Sequence, residues 1–307
     1  MPALRDAFLA LSTNPAAHKA IVGFPLSRKF TRRFVVGETL ADAVHAVQQL
    51  NEQGLAATLD HLGESVTNAD QARRAKDAYL AALDAIAQHR LRSHVSIKLT
   101  HMGLDIDPAL CLDNIEQIAA KAQSIGSKMR IDMEDSTRTQ VTLDLFKTLR
   151  ARYADVGIVI QAYLRRTVDD VSGLEDLQPN YRLCKGVYVE PRGISYRDMR
   201  IINRNYIYIL EKLLRNGSYV GIATHDELMV WEAFRIIRDL KLPPTAYEFQ
   251  MLLGVDDQLR DIIRAAGHNI RIYIPFGRDW YAYSVRRLKE NPQLAGYVFK
   301  AMFNKTK

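Results

Sequence analysis

Residues 180 to 191 read NYRLCKGVYVEP, an apolar, strand-like run that breaks at Gly186 with Arg182 and Lys185 close to its end. Arg and Lys are rarely buried without an anionic partner. A strand end that carries both is therefore expected to face a ligand with negative charge or strong acceptors. Two solvated side chains on an edge strand would give the same letters. What separates the two readings is that seven other stretches resemble this one.

Outward from this run, strands are expected at Leu55 to Asp60, His94 to Thr100, Lys128 to Met133, Val156 to Gln161, Tyr181 to Lys185, Tyr219 to Thr224, Tyr247 to Met251 and Ile270 to Pro275. Between them, apolar residues recur at helical spacing, as in Ala75, Tyr79, Ala82, Leu83 and Ile86, or Ile115, Ile118, Ala122 and Ile125. Others gather around Leu145 and Leu149, Leu210 and Leu213, Phe234 and Ile237, and Leu259 and Ile263. Eight strands alternating with helices over about 220 residues imply a parallel sheet, and the count favours a closed (β/α)8 barrel of the TIM type. The rival open sheet would carry a glycine fingerprint for a dinucleotide, and neither G-x-G-x-x-G nor G-x-x-x-x-G-K-[ST] is present. Residues 1 to 53 read as helices packing on the barrel of residues 54 to 307, with Leu40, Val44, Val47 and Leu50 on one apolar face.

Composition is that of a globular protein, 48% hydrophobic and 25% charged over 307 residues. No apolar run approaches the length of a membrane span. Cys111 and Cys184 form no CxxC pair, which suits a reducing, cytoplasmic setting. The formal charge of +7 suits an anionic lipid surface or an acidic cofactor, while the scatter of Lys and Arg and the lack of a nucleic-acid motif argue against nucleic acid.

Ligands of such barrels sit at the carboxyl ends of the strands. Those ends are polar here: Asp60 with His61, Lys98, Asp132 with Glu134, Gln161 with Tyr163, Arg182 with Lys185, Thr224 with His225, Gln250, and Tyr273. Turn chemistry would supply Gly, Asn, Asp and Ser instead. After the eighth strand, Tyr283, Arg287 and Glu290 share a helical face, and Arg286 lies about 100° to the side of Arg287, near enough to converge on one anion. Guanidinium forks match a carboxylate, so Arg286 and Arg287 are expected to hold a substrate acid, with Lys98 and Asp132 pairing on neighbouring strands. His61, His101 and His225 show no metal-ligand spacing, and no G-x-S-x-G nucleophile elbow is present. The residues thus point to a barrel enzyme for a small anionic substrate, working with an organic cofactor or by simple proton transfer.

These motifs resemble those of the proline dehydrogenase family in its monofunctional bacterial form. The matching segments are DHLGE (60 to 64), SIKLTHMGLDID (96 to 107), IDMED (131 to 135), VIQAYLRRT (159 to 167), RLCKGVY (182 to 188), ATHD (223 to 226), YEFQMLLG (247 to 254) and RIYIPFGRDWYAYSVRRLKENP (271 to 292). The resemblance implies FAD as cofactor and hydride transfer from C5 of L-proline to flavin N5, giving 1-pyrroline-5-carboxylate, with a membrane quinone as electron acceptor and peripheral contact with the membrane. It implies that Arg182 lies at the flavin N5 edge, that Gln161 hydrogen-bonds the isoalloxazine, and that Met133, Lys185, Gly186, Val187, Thr224 and His225 line the FAD. It further implies that Lys98, Arg286 and Arg287 bind the substrate carboxylate and that Asp132 orients Lys98 and the surrounding network. Leu252, Tyr273 and Tyr283 would wall the proline ring, with Glu290 near a C-terminal helix that closes over the site. The family commonly reads LVKGAY at the fifth strand where this chain reads LCKGVY, so Val187 is a bulkier turn residue that bears on FAD affinity. The alternatives are a hydroxyproline dehydrogenase on the same fold, against which the bulky Tyr273 argues, and a catalytically silent barrel that binds small acids.

Overall fold

The computed structural model describes residues 33–280 and residue 283. The eight strands are β1 (Ala56–His61), β2 (Ser93–Ile97), β3 (Met129–Ile131), β4 (Val156–Gln161), β5 (Asn180–Cys184), β6 (Val220–Ala223), β7 (Tyr247–Leu252) and β8 (Ile270–Phe276). All pair in parallel with their sequence neighbours, and β1 closes the barrel on β8 through six registered pairs from Ala56 with Arg271 to His61 with Phe276. The helices of the described residues are α1 (Leu40–Glu52), α2 (Ala69–Gln88), α3 (Pro108–Ser124), α4 (Thr139–Arg150), α5 (Thr167–Ser172), α6 (Met199–Arg215), α7 (Glu227–Asp239) and α8 (Asp257–Ala265).

Most helices start where the sequence supplies a capping side chain. Thr39 and Asp42 form a reciprocal capping box on α1, Asn68 caps α2, and Asp107 caps α3 with Pro108 in the first turn. Asp198, Asp226 and Asp256 cap α6, α7 and α8.

Side chains of a strand alternate between faces. In this barrel the outward set is apolar: Ala57 and Leu59, Val95 and Ile97, Ile158 and Ile160, Tyr181 and Leu183, Val220 and Ile222, Phe249 and Met251, and Ile272 and Ile274 are buried in one core beneath the helices. The inward set is polar. Arg182 on β5 reaches Ser96 on β2, and Tyr273 on β8 reaches the residue after β3; neither β5 and β2 nor β8 and β3 are adjacent, so both bonds cross the lumen.

The expected barrel is thus present, with local differences. The second strand ends at Ile97 rather than Thr100 because the chain turns there: Met102 N donates to Lys98 O at 3.2 Å, and Thr100 N leaves the sheet for Glu134 Oε1 at 2.9 Å. Helix α5, six residues long, is too short to announce itself by periodicity. Residues 33–39 are not helical. Within them Val36 N donates to Pro275 O, and Phe34 and Val35 pack with Leu62 and Tyr283 in a small second core. Helix α1 does pack on the barrel wall, against β1 and β8.

Candidate active site

Strand β5 carries Arg182 into the lumen, where its Nε donates to Gln250 Oε1 at 2.5 Å and its Nη1 donates to Asp132 Oδ1 at 2.8 Å and to Ser96 Oγ at 3.1 Å. Ser96 in turn donates to Asp132 Oδ1 at 2.6 Å, and the Tyr273 hydroxyl donates to Asp132 Oδ2 at 3.0 Å. The guanidinium carbon of Arg182 lies 5.1 Å from the centroid of the Tyr273 ring. The lysine that follows β2, Lys98, places its ammonium 3.7 Å from Asp132 and 3.3 Å from each oxygen of Asp60. Six strands therefore converge on one charged cluster, which the short reach of any single side chain would not permit outside a closed barrel.

The electrostatics follow from burial and pairing. Burial alone would raise the Asp132 carboxyl, but Arg182 and then Lys98 outweigh it and hold the group below its ordinary range. Burial alone would strip the proton from Lys98, and Asp60 and Asp132 reverse that, so the ammonium stays charged at every physiological pH. Burial, with Asp132 beside it, raises the Tyr273 phenol, so this residue is a neutral donor.

At the end of β5 the two expectations for cations divide. Arg182 is buried, and Lys185 is partly exposed and bonded to Asp226 Oδ2 at 2.6 Å. The anions inferred for this strand end are thus supplied in part by the protein itself. Gly186 has φ +108°, and a Cβ there would sit 2.0 Å from the Tyr163 ring, so packing as well as backbone conformation demands glycine. Val187 is 43% exposed. Thr224 is buried, with its hydroxyl accepting from Asp226 N at 3.1 Å, and His225 Nε2 accepts from Leu252 N at 3.0 Å, joining the ends of β6 and β7. Met133 is buried, and its carbonyl accepts from Gln161 Nε2 at 3.2 Å. Tyr283 is buried in the second core with Phe34 and Leu62. Arg286, Arg287 and Glu290 lie outside the described residues.

Sequence reading assigned no role to Ser96, Asp60, Tyr79 or Asp226. Ser96 had a signal, since His94, Ser96 and Lys98 alternate on one strand face. Tyr79 had none; its place in the apolar stripe of α2 hides a hydroxyl that donates to Asp60 Oδ1 at 3.2 Å.

Gln161 Oε1 and Arg182 Nη2 are buried with no partner among the described residues. Buried polar groups are nearly always satisfied. An acceptor and a donor left over at one strand-end site suit a ring with donor and acceptor edges, such as a flavin, and the residues present fit that group. A cavity of about 690 Å³ lies elsewhere, between the amino ends of the strands, lined by Gly54, Arg92, Lys128, Glu248 and Arg271 among others, and touches none of Lys98, Asp132 or Arg182.

Fold and site together define a (β/α)8 barrel with paired charges gathered at the carboxyl ends of its strands, where barrel enzymes carry their active sites. The sequence profile described as "Proline dehydrogenase" matches residues 43–298. Proline dehydrogenase 2 of Bacillus subtilis (strain 168) is 38% identical over 301 residues, covering 98% of this chain and 99% of its own. Proline dehydrogenase of Deinococcus radiodurans is 38% identical over 275 residues, covering 88% of this chain and 89% of its own. Among solved structures, proline utilization A (PutA) of Bdellovibrio bacteriovorus, inactivated by N-propargylglycine, superposes with a TM-score of 0.80 at 25% identity over 91% of this chain and 34% of that one. The chain belongs to the proline dehydrogenase family and is an oxidoreductase.

Proposed function

We propose that the protein oxidises L-proline to 1-pyrroline-5-carboxylate, with FAD as the redox cofactor and a membrane quinone as the final electron acceptor. The observation that carries this reading is the single cluster of hydrogen bonds and ion pairs that joins Lys98, Asp132, Arg182 and Tyr273, drawn from four strands. Proline is a small ring with a carboxylate. Lys98, with Arg286 and Arg287, offers that carboxylate charge-assisted hydrogen bonds worth about 1.5–3 kcal/mol each. Tyr273, Leu252 and Tyr283 offer the ring an apolar wall.

When bound, FAD supplies a two-electron acceptor for the hydride leaving C5 of the substrate. Gln161 and Arg182 would hold its polar edge with the buried acceptor and donor that have no partner among the described residues, helped by Met133, Lys185, Gly186, Val187, Thr224 and His225. Asp132 keeps the Arg182 guanidinium in place and accepts from Tyr273, so the polar part of the site and the ring wall are fixed by one carboxylate. Delivery of electrons to a quinone calls for contact with a membrane at its cytoplasmic face, which the formal charge of +7 favours where lipids are anionic. No helix of the described residues is long and apolar enough to cross a membrane.

Loss of a hydride from C5 requires the ring nitrogen lone pair, and Lys98 stays charged throughout the working range. Steady-state kcat/KM for L-proline is therefore expected to rise with pH between about 6 and 9 as the substrate amine deprotonates. A flat profile over that range contradicts the reading.

A further inference from the structure

The ammonium of Lys98 lies 3.3 Å from both oxygens of Asp60 and 3.7 Å from Asp132. Asp60 is fully buried on β1, and the Tyr79 hydroxyl of α2 donates both to its Oδ1 and to His61 O, each at 3.2 Å, which locks the carboxylate from the helix layer. Asp132 is already committed, with Oδ1 accepting from Arg182 and Ser96 and Oδ2 from Tyr273. The cluster thus holds two buried cations, the buried carboxylate of Asp60 and the part-buried one of Asp132, and the short contacts sort them into Arg182 with Asp132 and Lys98 with Asp60.

We propose that Asp60 is the positioning residue of the substrate lysine: it keeps the Lys98 ammonium charged and aimed at the substrate carboxylate, leaving Asp132 to serve Arg182 and the ring wall. This rests on the reading of Lys98 as a ligand of the proline carboxylate. It also changes the division of labour expected from sequence, in which Asp132 alone orients Lys98.

The physical consequence is a change of protonation. Lys98 is nearly buried, and burial by itself favours the neutral amine. Its acidic neighbours are Asp60, Asp132, Glu64, Glu134 and the Tyr188 phenol, and His101 and Arg182 face the cluster with neutral or positive charge. Without the Asp60 charge, the nearest carboxylate is Asp132, farther away and already balanced by Arg182. The lysine then loses its proton within the working pH range, and a neutral amine holds a carboxylate poorly.

The test is Asp60→Asn, which preserves size and the hydrogen bond from Tyr79. The expected result is a KM for L-proline raised by roughly tenfold or more with a smaller change in kcat. KM should also climb further from about pH 7 to 10, an alkaline limb absent from the parent enzyme. Calorimetric binding of cyclopentanecarboxylate, which cannot be oxidised, should weaken by about tenfold, or ~1.4 kcal/mol, with flavin content unchanged. Tyr79→Phe removes the hydroxyl's bonds to Asp60 and His61 O but no charge, and should give neither the limb nor more than a roughly threefold rise in KM. Parental KM, parental pH profile and parental binding in Asp60→Asn overturn the proposal.

If Asp60→Asn does not fold, the double variant Asp60→Asn with Lys98→Met decides. Recovery of the fold shows that the uncompensated lysine was the fault, as expected for a broken buried pair; failure to recover shows that Asp60 serves the fold independently of Lys98 and overturns the proposal. A parent enzyme that does not oxidise proline at all sinks the functional reading instead, so the two failures are distinguishable.

Discussion

Tyr273 is fixed twice, by its hydroxyl on Asp132 Oδ2 at 3.0 Å and by its ring beneath the Arg182 guanidinium. In the proposed reaction a neutral phenol so held would not swing aside for a bulkier substrate, and Tyr273 is expected to set ring selectivity. Tyr273→Ser removes the wall and leaves space and a hydroxyl for a polar substituent. The ratio of kcat/KM for L-proline to that for trans-4-hydroxyproline should fall by roughly tenfold or more, the scale on which apolar pockets discriminate. An unchanged ratio would remove the argument that separates this enzyme from a hydroxyproline dehydrogenase. Of the residues in this cluster, Lys98, Asp132, Arg182 and Tyr273 were legible as polar strand ends in the sequence. Their pairing was not, because which carboxylate a lysine chooses depends on distances of a few tenths of an ångström between strands far apart in the chain.

Asp226 shows how one side chain can serve an element and a site together. Its Oδ1 accepts from Leu228 N at 3.0 Å to cap α7, and its Oδ2 accepts from Lys185 at 2.6 Å across the β5–β6 end of the barrel. Burial would raise this carboxyl, but the bond from Lys185 and its charge hold it low. The two roles separate by substitution. Asp226→Ala loses both and should cost about 1–2 kcal/mol in urea unfolding at neutral pH. Asp226→Asn keeps the capping oxygen and loses only a partly exposed ion pair, so it should cost less than half as much. Equal losses would mean that the ion pair, not the cap, carries the contribution. Helix starts carried a signal that the reading by apolar stripes left unused, since Asn68, Asp107, Asp198, Asp226 and Asp256 each precede such a stripe and cap its helix. Helix α5 and the irregular residues 33–39 were not readable, being held by tertiary contacts such as Val36 N on Pro275 O rather than by a periodic pattern.

At the scale of the whole molecule, the barrel turns the usual arrangement inside out: its wall is apolar toward the helices, and its lumen is filled by Asp60, Lys98, Arg130, Asp132, Arg182, Glu248 and Arg271, paired across strands. The eightfold alternation that defines this wall was plain in the sequence, because an outward apolar residue at every second position survives whatever the lumen does. The barrel carries a pH liability. Burial pushes His101 down to about 3 and lowers His61 and His94, so the folded chain refuses protons that the unfolded chain accepts below about 6.5. Asp132 and Glu248 are held below their ordinary values by Arg182 and Arg271 against the cost of burial, and their contribution is lost as pH falls through those lowered values. Glu134, raised by burial, acts in the opposite sense. Stability should therefore fall from pH 7 to pH 5, with His101 alone accounting for about 2 kcal/mol; equal urea midpoints at the two values would contradict this. The most direct test of the central claim is the anaerobic visible spectrum of the purified protein before and after L-proline. A flavin band that bleaches with proline, and far less with trans-4-hydroxyproline, is the result expected of a barrel that oxidises proline on FAD. A flavin band that proline leaves untouched, or a colourless protein that FAD cannot restore, would contradict it.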